Sequence, residues 1–92
     1  MDLSQYYYLE FSAFIKNARQ RCGFSIEDLS AKTGILTKDI KEYESASQII
    51  PSNEFSLIIE ATQTPKAEVI NFLHDLYVLS ATNSSSKDLK VS

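Results

Sequence analysis

The sequence contains little of several residue types, and each scarcity excludes a class of protein. Its 92 residues include one cysteine, Cys22, so no intramolecular disulfide can form. Cys22 and the single histidine, His74, are too few for a zinc site, which typically uses three or four such ligands. No apolar run approaches the roughly 20 residues that cross a bilayer. We therefore expect no metal, no cofactor and no membrane association.

The sequence also lacks the arrangements on which catalysis depends. It contains no glycine-rich phosphate loop, no recognisable pair of catalytic carboxylates, and no nucleophile at a familiar spacing from His74. The N-terminus carries acidic Asp2 and no basic residue before Lys16, which is unlike a signal peptide. We expect a cytoplasmic protein that is not an enzyme.

Charge is unevenly distributed along the chain. The formal net charge is -3, yet residues 15–50 are slightly positive and both flanks are negative. Dedicated nucleic-acid binders are usually more basic than this. The negative net charge therefore favours a protein partner, whereas the slightly positive central segment favours an anionic partner such as DNA.

Two glycines and two prolines divide the chain into helical segments. Apolar residues at steps of three and four predict a first helix from about residue 4 to Gly23. Ser25, followed three residues later by Asp28, predicts a capping box at the start of a second helix that ends at Gly34. A third helix is predicted over residues 37–45.

The C-terminal half predicts two more helices and a tail. Ser52 after Pro51 is the expected cap of a fourth helix, and Thr64-Pro65 is a favourable start for a fifth, which we expect to end near Leu79. Residues 80–92 are rich in serine and lack aromatics, which predicts disorder. The sequence thus predicts an all-α, compact bundle of about five helices: residues 1–10 extend the first helix, 11–79 form the domain, and 80–92 form the tail.

The segment from Gly23 to Ile35, GFSIEDLSAKTGI, resembles the helix-turn-helix of the phage repressor and Cro (XRE-type) family. Ile40, Glu44 and Pro51-Ser52 extend the resemblance, which covers about residues 11–73. It implies a lambda-repressor-like domain whose third helix enters the major groove of double-stranded DNA. It also implies an ion pair between Arg19 and Glu44, and the apolar neighbours of both residues agree, because a charge buried there needs a partner.

The resemblance assigns contacts to DNA position by position. Some residues would face the bases and others the phosphates, at the start of the second helix, on the third helix, and in the loop after it: Ser25, Ile26, Thr37, Lys38, Lys41, Glu42, Ser47 and Gln48. Ile26 stands where the family often has a glutamine, and Leu36 where a capping serine or threonine is usual. Ala46 replaces a common glycine, so we expect a different backbone path in that loop.

Apolar residues cover most of the circumference of the fifth helix. One domain normally buries a narrower stripe, so we expect Phe72, Leu76 and Leu79 to form a dimer interface. Together these features predict a sequence-specific DNA-binding transcriptional regulator, most simply a homodimeric repressor. The alternative is a protein-interaction module, or an antitoxin-like protein, with the same fold and weakened or lost DNA binding.

Overall fold

The computed structural model contains five α-helices and describes the backbone of residues 3–91 and the side chains of residues 6–78. The helices are α1 (Leu3–Arg21), α2 (Ile26–Thr33), α3 (Thr37–Glu44), α4 (Ser52–Ala61) and α5 (Lys66–Val91). No strand occurs between residues 3 and 91. The all-α, five-helix bundle that the sequence predicts is confirmed.

The boundaries of α2 follow from local side-chain chemistry. The Ser25 hydroxyl accepts the Asp28 amide at 2.9 Å, and the Asp28 carboxylate accepts the Ser25 amide at 3.0 Å. Gly34 ends the helix with a φ of 80°, a left-handed conformation that costs glycine nothing. The capping box and the glycine stop are therefore both present where the sequence predicted them.

Two predicted caps in the C-terminal half are wrong. Pro51 occupies the N-cap position of α4, so Ser52 is the first helical residue and makes no capping bond. The Thr64 hydroxyl is hydrogen-bonded to the Thr62 hydroxyl at 2.7 Å, both groups being buried, instead of capping α5. The Thr64 hydroxyl pairs with that of Thr62 because an unpaired buried hydroxyl is costly.

Helix α5 also continues past its predicted end. The helix is 26 residues long and reaches Val91, whereas the serine-rich composition after Leu79 predicted a disordered tail. No glycine or proline follows Pro65, so the chain contains no strong helix terminator in this region.

The core joins all five helices. Ile15, Leu29, Ile40 and Ile58, from α1 to α4, are fully buried. Aromatic rings then attach α5, through a cluster that consists of Phe11, Phe14, Phe55 and Phe72.

Arg19 and Glu44 form a nearly buried ion pair between α1 and the end of α3. The Arg19 Nε donates to Glu44 Oε2 at 2.7 Å and an outer guanidinium nitrogen donates to Oε1 at 2.8 Å. The other outer nitrogen donates to the Phe24 carbonyl at 2.8 Å. The side chains are 12% and 7% exposed, and the bond to the carboxylate raises the pKa of Arg19. The pair fixes the end of α3 against α1.

The loop after α3 keeps a backbone path that glycine would normally adopt. Ala46 has a φ of 62°, in the left-handed region that L side chains rarely occupy. Ala46 therefore adopts the left-handed conformation itself, with local backbone strain that glycine would not have.

Candidate nucleic-acid interface

Helix α3 has one buried face and one exposed face. Ile40 and Tyr43 are buried, while Lys38 and Lys41 on the opposite side are exposed. The Tyr43 hydroxyl donates to Glu54 of α4 at 2.5 Å, so both α1 and α4 hold the helix in place. The outward face is thus presented on a rigid support, as a recognition surface requires.

Lys38 and Lys41 are the basic residues of this face. Neither side chain forms an ion pair or a hydrogen bond within the described part of the chain. Thr37, at the first position of α3, is half-buried. The two ammonium groups are available to a ligand such as a phosphate or a guanine edge.

Glu42 ties the end of α3 to the following loop. Its Oε1 accepts the side-chain amide of Gln48 at 2.8 Å, and its carbonyl accepts the Ser47 amide at 2.9 Å. The hydroxyls of Ser45 and Ser47 are 2.9 Å apart. Three predicted contact residues, Glu42, Ser47 and Gln48, therefore lie together and arrange one another before any ligand binds.

The two residues predicted at the start of α2 have structural roles in the chain itself. Ser25 is exposed, but its hydroxyl is engaged with Asp28, and the bonds from Ser25 lower the pKa of the Asp28 carboxyl. Ile26 is half-buried and packs against the core. The prediction that Ile26 lies on DNA is not supported by this placement, because an apolar residue one step after the cap is drawn to the interior.

The electrostatic balance of the candidate surface is close to neutral. The Lys32 ammonium lies 4.8 Å from the centroid of the Phe24 ring and adds a third basic residue to the two of α3. Four acidic side chains of α2 and α3 offset the charges of these lysines: Glu27, Asp28, Asp39 and Glu42. The net charge of these two helices therefore provides no general attraction for a polyanion.

Two of the three residues predicted to form a dimer interface on α5 pack within their own domain. Phe72 stacks on Phe14, with ring centroids 4.2 Å apart, and Leu76 is only 6% exposed. Both pack against their own domain, because the α1 and α4 aromatics draw this face of α5 inward. The side chain of the third residue, Leu79, lies outside the described residues.

A different face of α5 is exposed and apolar. Ile70 and Tyr77 are 58% and 72% exposed, and Leu73 and Val78 flank them. Ile70 and Tyr77 are seven residues apart, so they stand two turns apart on one side of the helix. The sequence predicted excess apolar surface on α5 but placed it on the wrong stripe.

Comparisons with known proteins identify no relative. The chain matches no protein-family model, no curated protein and no solved structure. Within the described part of the chain, each helix is too short or too polar to traverse a bilayer. The described side chains also bring together no group of three or more histidine, cysteine, aspartate or glutamate residues suited to a metal ion.

Proposed function

We propose that the protein is a sequence-specific DNA-binding transcriptional regulator that inserts α3 into the major groove. The observation that carries this proposal is the outward face of α3, where Lys38 and Lys41 are exposed and form no internal ion pair. A short helix held by Tyr43 and Glu44 is rigid enough to place both ammonium groups against DNA. The resemblance of residues 23–35 to repressor proteins supports the same assignment.

The residues of the surface divide into two roles. Lys38, Lys41 and Thr37 would face the base edges, where lysine donates to guanine and threonine contacts the thymine methyl. Ser47 and Gln48 would face the phosphates, with Gln48 oriented by its bond to Glu42. Asp39 is half-buried, which limits its repulsion of the DNA backbone.

A homodimer is part of this proposal. Helices of this kind read few base pairs each, and dimers that bind paired half-sites about one helical turn apart overcome that limit. The exposed residues of α5, Ile70 and Tyr77, support a contact between two copies, since large apolar side chains beside one another usually mark an interface.

The test is binding to the DNA upstream of the protein's own coding region, measured by fluorescence anisotropy over a series of salt concentrations. Replacing Lys38 and Lys41 together by alanine should weaken binding about tenfold or more and reduce the salt dependence, because two positive charges beside the DNA are lost. Lys66→Ala is the matched control, because Lys66 is an exposed lysine at the start of α5.

Two results would reject this function. One is an absence of binding at low salt, and the other is equal loss in the control and the double variant. Light scattering at micromolar concentration tests the dimer separately: a mass of one chain, 10.4 kDa, contradicts it.

A protein-interaction module, as in an antitoxin, is the second candidate function. It is favoured by the near-neutral charge of α2 and α3 together with the exposed apolar residues Ile70, Leu73 and Tyr77. In this case the lysines of α3 are ordinary solvated side chains, and the double variant behaves as the wild type in every assay except its isoelectric point.

A further inference from the structure

The outward face of α5 carries a stripe of large side chains with His74 at its centre. Ile70 and Tyr77 are 58% and 72% exposed, and they lie two turns apart on one side of the helix. Leu73 and Val78 are also exposed and lie on the two edges of this surface. His74 is itself exposed. These five residues form the outer stripe.

The helical period surrounds His74 with the other members of the stripe. Positions four before, three after and four after it lie on the same side of a helix, and Ile70, Tyr77 and Val78 occupy them. Among the described side chains, none forms an ion pair or a hydrogen bond with His74. The Tyr77 phenol stays uncharged near neutral pH. His74, the only histidine of the chain, is therefore the one member of the stripe that can gain a positive charge there.

Helices α1 and α4 pack on the opposite side of α5. The Phe72 ring lies against Phe11 and Phe14 of α1 and Phe55 of α4, with centroid distances of 5.1, 4.2 and 6.3 Å. At about 100° per residue, Phe72 lies about 160° around the helix from His74. Neither α1 nor α4 therefore faces His74.

The charged groups described on α5 lie away from the centre of the outer stripe. Asp75 is displaced by about 100° around the helix from His74, and Glu68 by about 120°. Glu68 is also bound to Arg21 of α1 at 3.0 Å. Lys66 lies at the N-terminal end of the stripe, one turn before its first residue. With a neutral imidazole, the centre of the stripe is thus an uncharged surface.

An uncharged centre suits pairing with a second copy of the chain. A two-fold interface uses the same patch on both chains, so any charge at its centre meets a charge of the same sign. At neutral pH the outer stripe carries no such charge, and it offers no counter-charge to an acidic or a basic partner. Two-fold pairing also supplies the symmetry that paired half-sites on DNA require.

An antiparallel pair keeps the lysines apart and brings the histidines together. If the two stripes overlap fully, the two-fold axis crosses α5 between residues 73 and 74, midway between Ile70 and Tyr77. The Lys66 side chains then lie about 22 Å apart along the helices, beyond the screening length of about 8 Å at physiological salt. The two His74 side chains are offset by only about 1.5 Å along the same direction, so they face each other across the axis.

We propose that α5 pairs with α5 of a second copy through the outer stripe, and that protonation of His74 separates the pair. Neutral imidazoles can be buried together, whereas two imidazolium groups repel each other and lose hydration. The dimer therefore forms at neutral pH and weakens as the pH falls. This inference rests on the homodimer of the proposed function and does not depend on DNA binding.

The test is sedimentation of the full chain without DNA, over a concentration series at one ionic strength. The Kd of the wild-type dimer should be at least about tenfold higher at about pH 5.5 than at about pH 8, because histidine ordinarily changes charge between these values. His74→Gln stays neutral and should give the same Kd at both.

A second pair of variants tests the effect of charge at this position. His74→Lys is positively charged at both pH values and should be monomeric at both. Asn53→Lys, the matched control, adds the same charge at an exposed position of α4 and should behave as the wild type. Circular dichroism at each pH checks that the proteins remain folded.

The possible failures are distinguishable. A wild-type Kd that is equal at both pH values would overturn the role of His74 and leave the homodimer standing. So would a His74→Gln variant that keeps the pH response, or a folded His74→Lys variant that stays dimeric. A monomeric wild type at about pH 8 would contradict the homodimer itself and this inference with it. DNA binding is measured separately, so its absence changes none of these readings.

Discussion

Removing the Arg19 side chain should destabilise the protein more than most single substitutions. In Arg19→Ala, the Glu44 carboxylate loses both of its guanidinium bonds and the Phe24 carbonyl loses a third. Glu44 is 7% exposed, so water replaces these bonds poorly. Breaking one partner of a buried pair costs about 3–5 kcal/mol, and the remaining exposure of both groups favours the lower part of that range.

The assay is urea unfolding followed by circular dichroism, with thermal unfolding as a second measurement. A loss of about 3 kcal/mol lowers the melting temperature by roughly 12–24 °C in a domain of this size. Arg19→Lys is the matched control, because it keeps the positive charge and loses the two-pronged geometry. It should retain part of the stability, since one ammonium donor can still reach the carboxylate.

A double substitution separates the interaction between Arg19 and Glu44 from the effect of losing either side chain alone. Arg19→Met with Glu44→Leu removes both charges and leaves apolar side chains of comparable volume. It should recover much of what Arg19→Ala loses, because no isolated charge then remains in the interior. A wild-type midpoint in Arg19→Ala would refute the reasoning, and so would a double variant whose loss is the sum of its two single losses.

Four more substitutions test the described geometry. Ala46→Gly should stabilise the protein by up to about 1 kcal/mol in the same urea assay, because glycine removes the left-handed strain and returns part of that gain as chain entropy; a loss of stability would contradict this. Tyr43 has a pKa raised by burial and by its bond to Glu54, so its contribution is present below about pH 10 and is lost as the pH rises through the folded pKa. Tyr43→Phe should therefore cost about 1–2 kcal/mol at neutral pH and reduce the alkaline loss, and an unchanged alkaline transition would contradict it. On α5, Phe72→Ala should cost about 3 kcal/mol and Tyr77→Ala less than about 0.5 kcal/mol in the monomer, while equal losses would show that the two faces are misassigned.

The helices around the turn at Gly34 were predictable because their signals are local. Ser25 and Asp28 are three residues apart and complete the capping box without help from the rest of the chain. Arg19 and Glu44 are far apart in sequence; the resemblance implied that they pair, and the cost of burying either charge alone agreed with it. These features depend on chemistry that acts the same way in any fold.

The candidate site was less predictable, because exposure depends on tertiary contacts. Lys38 and Lys41 face outward as the helical period of α3 requires, with Ile40 on the inner side. Ile26 is half-buried, because its apolar side chain packs against the core. The hydrogen bond between the Glu42 and Gln48 side chains crosses the loop after α3. No sequence spacing predicts the path of that loop, so this bond could not be predicted.

Helix α5 shows why periodicity failed at one element. Its apolar residues lie on nearly every side, so the sequence favours no single direction for the helix to face the domain. The stack of Phe72 on Phe14 decides the direction, because an aromatic pair contributes beyond its buried area only in specific geometries. Once Phe72 points inward, the turn of about 100° per residue directs Tyr77 to the outside and leaves Leu73 partly exposed. One contact between rings thus determines which apolar stripe of α5 remains exposed.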